Sequence, residues 1–159
     1  MDQPKPIKRS KELVPLSKDH HEGLLFAWKI KQGLRKGTDH RLIADFIRWF
    51  WKAELQEHFR KEEEVLAPHL QENDALVAQM IDEHQELEAL VRLCEMVADE
   101  DIFLQLANGL DKHIRFEERT FFPHAEKLIP PVAMESIYTE LVKTRPHTAW
   151  ENQFWLADK

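Results

Sequence analysis

Apolar residues recur along most of the chain at the three- and four-residue spacing of one helical face, and breaks in that spacing divide it into four long segments and a short one. The first carries Leu24 and Ala27, with Ser17 before it as the expected N-cap, Asp19 in its first turn, and Gly37 as its stop. Asp39 is placed to cap a second segment, in which Ile43, Ile47, Trp51 and Leu55 recur four apart and which should reach about Leu70. Asn73 and Asp74 break the pattern, and a third stripe follows: Leu76, Met80, Leu87, Val91, then Cys94 or Val97. Asp99, Glu100 and Asp101 start a fourth, carrying Phe103, Leu106 and Leu110 and ending before Pro130 and Pro131. A short amphipathic segment is expected over residues 132–141, and the tail after Arg145 has no clear period.

Four long helices joined by short turns predict an all-α protein: an up-down antiparallel four-helix bundle with a short extra C-terminal helix. The expected organisation is an N-terminal arm over residues 1–15, the bundle over 16–130, and a helix and tail over 131–159 packing on it.

Composition narrows the class. Only four Gly among 159 residues, with 43% hydrophobic and 32% charged residues, disfavours turn-rich sandwiches and barrels. A net charge of -7 lacks the basic surplus that a phosphate backbone requires, so nucleic acid is not an expected partner. The longest apolar runs, such as Phe46 to Trp51, fall far short of the ~20 residues of a membrane span, so no membrane association is expected. Cys94 is the single cysteine and reads as a core thiol, and no leader pattern opens the chain, so a reducing, cytoplasmic location is expected.

The nine histidines carry the chemistry. His58 to His69 and His113 to His124 share the pattern H-x-R-x-E-E-x-x-x-x-P-H, six identities in twelve positions at an offset of 55. In each copy the His and first Glu are four residues apart, about 6 Å along one face. Extending Ile47, Trp51, Leu55 by helical steps arrives at His58 and Glu62, and extending Phe103, Leu106, Leu110 arrives at His113 and Glu117. One such pair alone is ordinarily a solvated pair. Two at the same stripe position put imidazole and carboxylate where apolar side chains belong, and a metal ion compensates both.

His84 lies between Met80 and Leu87 on the third stripe, and His20-His21 precede Leu24 on the first. Adjacent helical residues point about 100° apart, so one of that pair is expected to ligate, His20 ahead of His21. His69 and His124 sit near helix ends, His40 and His147 read as surface residues, and Trp28, Trp49 and Trp51 read as core or interface aromatics.

These residues resemble the hemerythrin-like family, the HHE cation-binding domain, over roughly Leu16 to Leu128. The family pattern is a His on the first helix, H-x-x-x-E on the second, a His on the third and H-x-x-x-E on the fourth. Here those are His20 or His21, His58 with Glu62, His84, and His113 with Glu117. The resemblance implies a non-haem centre of two iron ions, or other divalent metals in their place, bridged by the Glu residues and completed by the imidazoles. It implies binding or sensing of a small diatomic ligand, dioxygen or nitric oxide, or of iron, with an electron donor as a further partner. The runner-up is a di-iron enzyme that reduces oxygen, peroxide or nitric oxide, or donates iron for repair. Two positions depart from the oxygen-carrying members: Met80 stands where they have a fifth His, and their last carboxylate corresponds to Glu118 instead of Glu117. An open coordination position is therefore expected. The E-x-x-H device of ferritin-type sites is missing.

Overall fold

Proline needs no amide partner and has its φ preset for a first helical turn, and Pro15 takes that place at the start of α1 (Val14–Arg35). The computed structural model describes residues 8–156; residues 1–7 of the expected arm and 157–159 of the expected tail lie outside the described residues. The helix starts three residues before the expected cap. Leu13 takes the N-cap place, and Ser17 lies inside α1 with its hydroxyl donating to the Glu118 carboxylate at 2.8 Å. Leu13 and Leu16 are fully buried, so apolar packing sets this start in place of a hydroxyl cap.

Gly37, at φ 72°, supplies the left-handed turn that ends the first helix region. Asp39 then caps α2 (residues 40–69), accepting from the Arg41 amide at 2.7 Å. This helix is not uniform: His40–Phe50 and Gln56–Lys61 are α-helical, Trp51–Leu55 and Glu62–Leu66 are π-helical turns, and Ala67–His69 is a final 3-10 turn. Asp74 caps α3 (Ala75–Met96). Asp99 caps α4 (residues 100–128), in which a π-helical turn, Glu117–Phe121, separates Glu100–Phe116 from Phe122–Leu128. Pro131–Leu141 forms α5.

Helices α1, α2, α3 and α4 pack in a closed circuit, each against the next and α4 back against α1, as an all-helical bundle with no strand among the described residues. Two apolar clusters fill it. One holds Phe26, Ile47, Phe59, Val91 and Leu110, with Cys94 rather than Val97 buried in it; the other holds Leu16, Leu66, Met80, Phe121 and Ile137. The tail aromatics Trp150, Phe154 and Trp155 pack on the first cluster, and Gly33 allows this, because a Cβ there would lie 2.6 Å from Phe154 Cε1. Trp28 is not a core aromatic; it is 47% exposed. Among the described residues no helix is long and apolar enough to cross a membrane.

Candidate metal centre

Between the two apolar clusters the bundle holds a polar layer. His20, His58, Glu62, His84, His113 and Glu117 are all buried there, both Glu completely. Four of them, His20, His58, Glu62 and Glu117, bring donor atoms together; so do Glu62, His84, His113 and Glu117, each set within 4.8 Å. The two sets share both carboxylates. His21 is outside both sets and exposed, so of the adjacent pair only His20 is brought to the centre.

The four imidazole Nε2 atoms and four carboxylate oxygens approach one another at 2.8 to 3.9 Å. Only His20 Nε2 and Glu117 Oε1 form a hydrogen bond; the other six inward atoms have no partner. Orphaned buried polar atoms are costly, and six in one layer form a donor set awaiting an acceptor of electron pairs. Imidazole nitrogen with carboxylate oxygen suits a divalent transition metal.

Every outward Nδ1 is also engaged. Glu118 lies 2.8 Å from His20 Nδ1, Asp19 3.0 Å from His58 Nδ1, Glu63 2.7 Å from His84 Nδ1, and Glu83 2.8 Å from His113 Nδ1. With each Nδ1–H donating to a carboxylate, each Nε2 is left as the lone-pair atom facing inward. Ring stacking fixes the planes: Phe59 on His84 at 3.8 Å between centroids, and Phe122 on His20 at 5.2 Å.

Without metal the layer holds protons. Burial alone would lower the imidazoles, but the carboxylates of Glu117, Glu118 and Glu62 push His20 up to about 10, and those of Glu117, Glu62 and Glu63 push His84 up to about 11. His58 and His113 are raised for the same reasons. Burial and the Glu117 charge would raise Glu62, yet the imidazoles hold it down to about 2; Glu117 is likewise held well below its ordinary value.

The π-helical turns explain the repeat beyond its ligands. Glu62 and Glu117 each open one, and their carbonyls accept from Ala67 and Phe122, five residues on. The following residues, Pro68 and Pro123, have no amide hydrogen to continue that register. The Glu118 carbonyl instead accepts from the Arg9 guanidinium, which also pairs with Glu126. Such turns are frequent at functional sites because they re-aim side chains within a helix.

Sequence reasoning gave no role at the centre to Asp19, Glu63, Glu83 or Arg9, and noted Glu118 only as the position of the last carboxylate in the oxygen-carrying members. The available signal was an acid directly beside each of four inward residues. His124 does not reach the centre: it pairs with Asp74 at 2.6 Å. His69 and His40 are exposed, and His147 is exposed beside Glu54.

A family model described as the Hemerythrin HHE cation binding domain matches residues 13–125. The chain belongs to this family. No curated protein and no solved structure matches it. The hemerythrin match takes in all six inward residues and the four carboxylates behind the imidazoles.

Proposed function

We infer that this hemerythrin-family chain is a non-haem di-iron protein, in a reducing cytoplasmic setting, that binds or senses a small ligand such as dioxygen or nitric oxide, or iron itself. The observation that carries the reading is the pair of donor sets sharing Glu62 and Glu117, with six unpartnered inward atoms. His20 and His58 would hold one ion, His84 and His113 the other, and the two carboxylates would bridge them. Bound iron supplies one-electron chemistry and coordination positions for a small molecule. The chain's own part is to exclude water and to admit only something small. A cavity of about 10 Å³ adjoins His20, His58 and His113, walled by Gly23, Phe50, Leu55, Phe59, Leu110 and Ile114 and also by Asp19 and Glu54. That is room for one water-sized molecule in a mostly apolar lining.

A second reading, a di-iron enzyme, is favoured by one observation. A cleft of about 730 Å³, open to solvent, has His58 and His84 in its lining, with Asp19 and Glu63 that hold them.

Metal analysis of anaerobically purified protein, with optical spectra before and after oxygen, tests the reading. About two irons per chain and a new near-ultraviolet charge-transfer absorption on oxidation are expected. A well-folded native chain holding less than one metal ion would overturn it. Consumption of nitric oxide or oxygen over many turnovers, in place of stoichiometric uptake, would select the enzyme.

A further inference from the structure

The four carboxylates behind the imidazoles follow a rule. Asp19 of α1 holds His58 of α2, Glu63 of α2 holds His84 of α3, Glu83 of α3 holds His113 of α4, and Glu118 of α4 holds His20 of α1. The hydrogen bonds run once around the bundle, in the circuit in which the helices themselves pack.

Helical geometry explains the closure. Each acid is one residue from an inward ligand, so its side chain turns about 100° from the centre toward an adjacent helix. On α1 and α3 the acid precedes the ligand, as Asp19 precedes His20 and Glu83 precedes His84. On α2 and α4 it follows, as Glu63 follows Glu62 and Glu118 follows Glu117. Neighbouring helices run in opposite directions, so stepping back on one and forward on the next turns in the same rotational sense. All four acids therefore reach the next helix in order.

The ring also adds charge. Its four carboxylates with Glu62 and Glu117 total six negative charges, against four positive charges for two divalent ions and six for two trivalent ones. Among the described residues the one Lys or Arg paired with the ring is Arg9, which reaches Glu118 at 3.5 Å. Ring side chains are 23% to 39% exposed, so solvent screens them partly and leaves each within one imidazole of the metal positions.

We propose that Asp19, Glu63, Glu83 and Glu118 are positioning residues that close a hydrogen-bonded ring around the centre and bias it toward a trivalent over a divalent metal pair. This rests on the di-metal reading above. The Glu→Gln change keeps an acceptor oxygen for Nδ1–H and removes the charge, whereas Glu→Ala removes both.

The test uses full-length E63Q, E83Q, E118Q and Asp19→Asn, with the exposed Glu135→Gln on α5 as a charge-matched control. Each is loaded with iron for electrode-mediated titration, in which each Fe2+ gives up one electron, and separately with Ga3+ and Zn2+ in competition. Each ring variant is expected to lose roughly tenfold in trivalent-to-divalent preference, which for one electron is about a 59 mV rise in midpoint. Glu135→Gln should match native protein. Ala variants should in addition lose both metals, because the imidazole is no longer held. Midpoints and Ga3+/Zn2+ ratios equal to the control would overturn the proposal, as would equal losses of Ga3+ and Zn2+ in the Gln and Asn variants. Native protein that holds none of these metals would instead overturn the di-metal reading.

Discussion

Gly23 lies one helical turn after His20, on the wall of the small, mostly apolar cavity. A Cβ there would stand 2.9 Å from Ile114 Cδ1 and 3.7 Å from Leu110 Cδ2. The first contact is tight, but it involves the far end of a flexible side chain, and a shift off the ideal rotamer costs about 0.5–1.5 kcal/mol. Replacing Gly by Ala inside a helix returns about 0.8–1.0 kcal/mol. These nearly cancel, so G23A should melt within roughly 4 °C of native protein. The cavity, at about 10 Å³, fares differently, because the added methyl and the displaced Ile114 take the space. Nitric oxide binding to the reduced, iron-loaded variant, followed by stopped-flow absorbance, should slow at least about tenfold, the effect of some 1.4 kcal/mol. Native rate and affinity in a variant of native stability and iron content would refute the assignment of this cavity to the ligand.

Glu62→Ala or Glu117→Ala removes a carboxylate common to both donor sets, and metal analysis after gel filtration should show at least half of the bound metal lost. Metal removal should expose the protonation chemistry of the layer: because His20 and His84 hold protons up to about 10 and 11, metal loading of weakly buffered protein at pH 7 should release protons, and metal affinity should fall as pH falls. In chelated protein the raised imidazoles stabilise the fold fully below 6.5 and lose that contribution as pH rises through about 10 to 11. Glu62 stabilises it above 4.5 and loses that contribution as pH falls through about 2. Melting scans of the metal-free protein across pH should therefore peak between these limits, and a metal-free protein equally stable at pH 6 and pH 9 would contradict this.

The bundle and five of its six inward residues were legible because a buried helical face has a period, and His58, Glu62, His84, His113 and Glu117 occupy core positions in it. The choice of His20 over His21 was not decidable from spacing, since α1 offers apolar neighbours to both; packing against α4, where Glu117 and Glu118 receive His20, decides it. The start of α1 was misplaced because Ser17 looks like a cap, while the buried Leu13 and Leu16 carry no local signal of where they dock. The π-helical turns were hidden because they preserve helical composition and alter only the register of hydrogen bonds. Asp19 read as a first-turn carboxylate and nothing in the spacing singled out Glu63 or Glu83; only the angle between adjacent helices turns all three toward imidazoles.

The polar layer divides the interior into two apolar bodies, one around Phe26 and Leu110 and the other around Leu16 and Phe121, crossed by all four long helices. Cooperative melting requires each body to depend on the other, and side chains of the layer are the seam between them. Protons hold that seam through bonds each confined to a pair of groups, whereas a shared metal pair ties all four helices at one level. Ion occupancy would thus set the size of the unit that unfolds together: one block with the seam filled, two loosely joined blocks without it.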